Sequence, residues 1–237
     1  MLFELLTDHN VLSLTQLCAQ TDLHKTTVYR LLSTLIKLGY VDKTADSRYR
    51  LSMKVFELGS KRVRNVDFYS TARSFMRRLA LSLEQTVHMV IEDNNEVLYI
   101  DKVTVNETGV KMQSKIGLKA PMYCTAVGKA LLAAKTDTEI ERYWNTVHKK
   151  KFTDKTIETY EDLLKDIQEV RVCGYALDRS EHERGIVCIG SSFATYQNRS
   201  AGAFSTSVGI NDIQKLDGFI PLVLETAKQL TEVLGGA

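Results

Sequence analysis

The sequence is poor in the residues that interrupt or cross-link a chain. Its only prolines in 237 residues are Pro121 and Pro221, so no Pro-rich linker separates its parts. Four cysteines, Cys18, Cys124, Cys173 and Cys188, are widely spaced without a Cys-x-x-Cys pair. That spacing argues against a zinc ribbon or a disulfide framework and leaves reduced thiols as the expectation, with no metal and no cofactor. No apolar run approaches the roughly 18 residues of a membrane span, and no charged segment leads into an apolar signal core at the N-terminus. A cytoplasmic protein with no membrane partner is expected. Internal repeats and low-complexity tracts are lacking as well.

What is present is ordinary in bulk and uneven in detail. With 44% hydrophobic and 25% charged residues the composition is that of a globular protein, and the length allows two domains. Net charge is +2, but residues 1–78 hold 13 Lys/Arg against 7 Asp/Glu, whereas residues 79–237 hold 18 against 22. A basic N-terminal part joined to a mildly acidic remainder suits a phosphate-facing module followed by another kind of domain.

The basic part carries the strongest signal. Ser13 and Gln16 form a Ser-x-x-Gln capping box ahead of Leu14, Leu17 and Cys18. After the polar turn Thr21-Asp22-Leu23, a second helix carries Val28, Leu31, Leu32, Leu35 and Leu38 as its expected apolar face, and Gly39 ends it. Lys25, Thr26, Thr27, Tyr29, Arg30 and Ser33 occupy the other face. Hydroxyls and cations on the first turns of such a helix reach phosphates and base edges in the major groove. Tyr40 to Lys43 and Arg48 to Leu51 read as two strands around Thr44-Ala45-Asp46-Ser47. Arg48 and Arg50 project opposite Tyr49 and Leu51, as in a wing lying on the DNA backbone. A solvated basic hairpin would explain one such pattern; capping box, helix and wing in register favour double-stranded DNA as partner.

The organisation expected is a winged helix-turn-helix over residues 1–51, a linker helix over 52–66 and an α+β domain over 67–237. The linker has a sparse apolar stripe of Met53, Phe56, Val63 and Val66, and Asp67 is expected to open the next helix. Strands are expected at VHMVIED and EVLYIDKV around Asn94-Asn95, and in GVKMQSKIG up to Gly117. Helices follow at about 126–134, 138–147 and 159–173, then strands at YALD, VCIGSSF and GAFSTSVG, and a closing helix with Pro221 in its first turn. The sheet should be mainly antiparallel.

Three features there could carry chemistry. Tyr123 to Lys129 places small residues at a strand-to-helix junction, where free N–H groups favour an anion, but without the full P-loop pattern. Asp178, Glu181, His182 and Cys188 invite a cysteine-nucleophile or metal reading; a solvated loop histidine and a small core cysteine explain them more simply. Ser205 and Ser207 lie two apart on one strand face and either bind a carboxylate or satisfy each other. His88, mid-strand in an apolar run, reads as a satisfied core histidine rather than a ligand contact.

The segments KTTVYRLLSTLIKLGYV, YRLSMKVFELG, PMYCTAVGKALLA and GYALDRSEHERGIVCIG, in this order, resemble the IclR family of bacterial transcriptional regulators. FELGSKRVRNVD, QTVHMV and YCTAVGK are most similar to its branch controlling ketodeoxygluconate and pectin or uronate catabolism. The resemblance implies a GAF-like effector domain behind the winged helix-turn-helix, homodimers or dimers of dimers on palindromic operators, and a small organic or sugar acid as effector. It also implies effector contacts at Ala126, Asp178, Cys188, Ser205 and Ser207, with Met112, Ala120, Val127 and Ile186 as an apolar wall. The N–H groups around Ala126 to Gly128 are expected to join them, and an ionised Asp178 to accept the ligand's hydroxyls. Ala126 departs from the Gly of some members. Members also usually have a longer N-terminal helix than Met1 to Leu6 supplies, so either translation begins upstream or some DNA-domain dimer contacts are lost. The function expected is a repressor of sugar-acid catabolism genes. The alternatives are an activator of the same family, an enzyme using Asp178, His182 and Cys188 on a sugar acid, or a constitutive architectural protein.

Overall fold

The computed structural model describes residues 1–105, 114–198 and 200–236. The chain divides into two compact units, Met1–Asp67 and Phe68–Ala237.

The first unit has three helices, α1 (Leu2–Asp8), α2 (Leu14–Thr21) and α3 (Lys25–Lys37), a hairpin of β1 (Val41–Lys43) and β2 (Tyr49–Leu51), and then α4 (Met53–Arg64). Ser13 and Gln16 form the capping box: the Ser13 hydroxyl accepts from Gln16 N at 3.3 Å, and Gln16 Oε1 accepts from Ser13 N at 2.9 Å. Asp22, in the left-handed region at φ 53°, turns the chain from α2 towards α3. Gly39 at φ +77° closes α3, with its own N–H on the Ile36 carbonyl and the Tyr40 N–H on Leu35, a Schellman ending. Leu6, Leu12, Leu17, Val28, Leu32, Val41 and Tyr49 form the core of this unit. The expected apolar face of α3 is therefore narrower than its sequence: Leu35 is half-buried, while Leu31 and Leu38 are exposed. Those two flank the 28-32-35 stripe, and only that stripe meets the other helices. Ser52 caps α4 at Lys54 N; none of the helix's residues is buried, and Met53 and Phe56 are 74% and 68% exposed.

The second unit is built on one six-stranded sheet. Its strands are β3 (Val87–Asp93), β4 (Glu96–Val103), β5 (Lys119–Pro121), β6 (Ala176–Arg179), β7 (Ile186–Phe193) and β8 (Gly202–Gly209), in the order β5-β4-β3-β8-β7-β6, every pair antiparallel. Asn94 and Asn95, both at positive φ, make the tight turn of the β3–β4 hairpin. Two helices, α5 (Tyr69–Leu83) and α9 (Leu216–Val233), pack on one face. On the other lies α6 (Ala126–Ala133), covered by α8 (Tyr160–Cys173), which in turn packs with α7 (Asp137–Thr146). Met122, Tyr123, Leu131, Leu132, Ile140, Leu163 and Ile167 fill the core beneath them.

Several expectations are corrected. Phe68, not Asp67, stands at the N-cap of α5, with no side-chain hydrogen bond. Pro221 is the sixth residue of α9, not part of its first turn, because a 3-10 turn over Ile210–Lys215 feeds α9 from Leu216. The missing proline N–H would have met the Asp217 carbonyl one turn back. Most of the strand expected up to Gly117 falls on residues 106–113, outside the described residues, as does Met112; Ser114 to Gly117 are coil and turn, and the strand lies further on at Lys119–Pro121.

Candidate functional site

The two units present different surfaces. Lys25, Thr26, Thr27, Tyr29, Arg30 and Ser33 are all exposed on the N-terminal two-thirds of α3, while Val28 and Leu32 hold its other side in the core. On the hairpin Tyr49 points inward, bridging to Leu12, and leaves Arg48 and Arg50 exposed. Arg48 Nε lies 2.5 Å from Asp46 and Arg50 Nε 3.7 Å from Asp42, so each arginine rests on a wing carboxylate. Half-exposed pairs of this kind hold together weakly in water, and a phosphate can displace the carboxylate.

In the second unit the β-register gathers residues that are far apart in sequence. Asp178, Cys188 and Ser207 are cross-strand neighbours on β6, β7 and β8; Gly190, Ser205 and His88 form the next row, on β7, β8 and β3. Side chains directly opposite on adjacent strands share a face. Here it is the α6 face, and Gly190 explains how closely the helix approaches. A Cβ on Gly190 would stand 3.1 Å from Ser205 Cβ and 3.4 Å from Val127 N. The start of α6 therefore lies on the strand beside Ser205, and Ala126 packs with Ile186 and Cys188. Thr125 caps α6 by accepting from Gly128 N at 3.2 Å. That corrects the expected use of the Gly128 amide, which is already taken; a Cβ there would also stand 2.2 Å from Met122 Cα. The amides of Ala126 and Val127, first in the helix, have no intrahelical acceptor and aim helix-dipole positive charge at this floor.

The second unit also holds a cavity of about 420 Å³ lined by Tyr99, Ser114, Ala120, Lys150, Phe152 and His182, among others; Asp178, Cys188, Ser205 and Ser207 are not in its lining. Of the residues expected in the apolar wall, Ala120 lines it directly. His182 packs against Phe152 with ring centroids 4.7 Å apart and planes tilted by 45°, and burial, with Lys150 nearby, lowers its pKa.

Electrostatics revises two roles. Asp178 is 3% exposed and its Oδ1 accepts from Glu181 N at 2.6 Å. Burial, reinforced by Glu181, lifts its pKa to about 7, so near neutrality the protonated form, which donates as well as accepts, is populated. Burial also pushes the Cys188 thiol well above its ordinary value, which leaves no thiolate nucleophile. Lys129, fully buried, turns away from any anion: its Nζ lies 2.7 Å from Glu181 and 2.5 Å from Asp166, tying α6 to α8 and to the loop after β6. Sequence reasoning missed this buried pair, whose partners are 52 residues apart. It missed Gly190 too, although glycine inside VCIGSSF is the ordinary sign of a close backbone approach.

Comparison with known proteins agrees over both units. Residues 1–45 match the IclR helix-turn-helix domain, and residues 60–232 match the family described as bacterial transcriptional regulator IclR C-terminal. Among characterised relatives, the HTH-type transcriptional regulator KdgR of Escherichia coli is 35% identical over 189 residues, 79% of this chain and 72% of KdgR. The HTH-type transcriptional repressor AllR of Escherichia coli is 30% identical over 227 residues, 94% of this chain and 83% of AllR. A solved IclR homologue from Microbacterium hydrocarbonoxydans, complexed with 4-hydroxybenzoate, superposes with a TM-score of 0.80 over 94% of this chain and 91% of its own, at 17% identity.

Proposed function

From the premise that this chain belongs to the IclR family of bacterial transcriptional regulators, and so is a ligand-responsive DNA-binding regulator and not an enzyme, we propose that it represses genes of sugar-acid catabolism from a palindromic operator. In this reading α3 enters the major groove through Lys25, Thr26, Thr27, Tyr29, Arg30 and Ser33, and Arg48 and Arg50 hold the backbone from the wing. The protein acts in the cytoplasm as a homodimer or dimer of dimers; the exposed Met53 and Phe56 of α4 are apolar surface available to a second copy. Its domains follow the divisions 1–51, 52–66 and 67–237.

The effector is a small hydroxy- or keto-acid. One observation carries this: Gly190 lets the start of α6 settle beside Ser205, so two free helix amides and the Ser205 and Ser207 hydroxyls converge on one floor. These are donors suited to a carboxylate. Asp178, partly protonated, serves the ligand's hydroxyls, and Ala126, Ile186, Cys188 and Ala120 supply apolar contact. The likeness to AllR, a transcriptional repressor, supports repression, and the 4-hydroxybenzoate bound by the Microbacterium homologue supports an acid. Acid binding then shifts the chain between two arrangements that differ in operator affinity, by the ratio of the acid's affinities for them.

Titration calorimetry with 2-keto-3-deoxygluconate, galacturonate and gluconate tests this. Ser205→Ala is expected to weaken the best acid by about 1–3 kcal/mol, since a carboxylate oxygen loses its buried donor, while operator binding without acid is unchanged. Parent-like affinity in both Ser205→Ala and Asp178→Asn would place the acid elsewhere. In a promoter reporter, loss of the protein should raise transcription; a fall would mark an activator.

A further inference from the structure

His88 stands on the floor just described and is only half satisfied. It is 2% exposed, and its Nε2 lies 2.8 Å from the Ser114 hydroxyl, but Nδ1 is buried without a protein partner. A buried polar nitrogen left unpaired is costly and rare in a native core, so a histidine placed here for packing alone would be a poor choice. Its position gives the reason for keeping it. Across the β3–β8 pairing its direct neighbour is Ser205. On the other side a bulge in the β3–β4 register pairs Val90 with Tyr99 and His88 with Lys102, bringing the Tyr99 ring to 5.8 Å from the imidazole in an edge contact. Tyr99 and Ser114 both line the cavity of about 420 Å³, whose lining does not include His88 itself. The imidazole thus spans from the cavity wall to the serine row.

We propose that His88 is a ligand-contacting, specificity-determining residue whose Nδ1 binds an oxo or hydroxyl oxygen of the effector close to its carboxylate. The inference rests on the acid site of the preceding subsection and adds to it the residue that reads the oxo or hydroxyl oxygen beside the carboxyl end and so discriminates against a plain aliphatic acid. Ser114 makes this workable. Its hydroxyl either donates to Nε2, leaving Nδ1–H to donate to an oxo group, or accepts from Nε2–H, leaving Nδ1 to accept from a hydroxyl. One ring therefore serves a keto acid or a hydroxy acid by exchanging tautomers. Burial keeps the ring neutral, with its pKa lowered to about 4, as that exchange requires.

The test uses the full-length protein with 2-keto-3-deoxygluconate, gluconate and, as the plain acid, hexanoate. His88→Phe is expected to lose tenfold or more in affinity for the two oxygenated acids, to change little towards hexanoate, and to keep parental operator binding without acid. In protein labelled with ¹⁵N at histidine, the Nδ1 resonance of His88, assigned by its disappearance in the variant, should move on saturation with either oxygenated acid. If His88→Phe binds them as tightly as the parent and the resonance stays put, while Ser205→Ala loses affinity, His88 is core packing and the inference falls with the acid site intact. If Ser205→Ala also keeps parental affinity, or none of the acids binds the parent, both fall together. Should His88→Phe not fold, His88→Gln and the parental resonance decide.

Discussion

Asp178 and His88 share one sheet face, and burial drives them in opposite directions. Asp178 is raised from 3.8 to about 7 and His88 lowered from 6.5 to about 4. Between pH 4 and 6.5 the folded chain holds a proton on Asp178 that the unfolded chain has released, so this residue makes stability fall as pH rises. Over the same window the unfolded chain protonates His88 and the folded chain does not, so stability rises with pH. The two slopes, each up to about 1.4 kcal/mol per pH unit, nearly cancel. Relative to the parent, Asp178→Asn should therefore make stability rise more steeply from pH 4 to 6.5, and His88→Gln less steeply; denaturant unfolding at several pH values checks both, and parental slopes in both variants would rule the pairing out. Little of this was legible in the sequence. The Ser205/Ser207 spacing and the small residues at Ala126 announced a polar floor, but the pairing of His88 through Nε2 depends on Ser114, 26 residues away, and the Asp178 shift on how deep its strand lies.

At the scale of elements, what could be read was what repeats locally. The capping box at Ser13, the αL ending at Gly39 and the Asn94-Asn95 turn each draw on residues within one turn of the chain, and all three formed as expected. What could not be read was set by neighbours: Leu31 and Leu38 are apolar yet exposed, and α9 begins before Pro221. The presentation of α3 leads to a prediction. Arg30→Ala should reduce operator affinity by about 1–3 kcal/mol if the guanidinium reaches a base, seen in a fluorescence-anisotropy titration; unchanged affinity and salt dependence would move the contact off this helix. A second element-scale prediction concerns α6. Lys129→Met strands the carboxylates of Glu181 and Asp166 around an apolar side chain and should cost about 3–5 kcal/mol in thermal or denaturant unfolding. A loss below about 1 kcal/mol would show that the pair adds nothing net to stability.

The chain forms two compact units, with the helix-turn-helix in the first and the proposed acid site in the second. A fragment of residues 68–237 should then bind the best acid as the intact chain does and show no operator binding; failure of the folded fragment to bind acid would make the first unit part of the sensor. The strand order has another consequence, in time. The centre of the large sheet joins β3 to β8, pairing Val87 with Thr206, whereas contacts in the first unit close within about 50 residues. Distant pairings form slowly, and domains fold as they leave the ribosome, N-terminal first. During synthesis the first unit is thus complete while β8, which carries Ser205 and Ser207, is still being translated, so on the proposed reading each new chain presents its DNA-facing helix before its acid site exists.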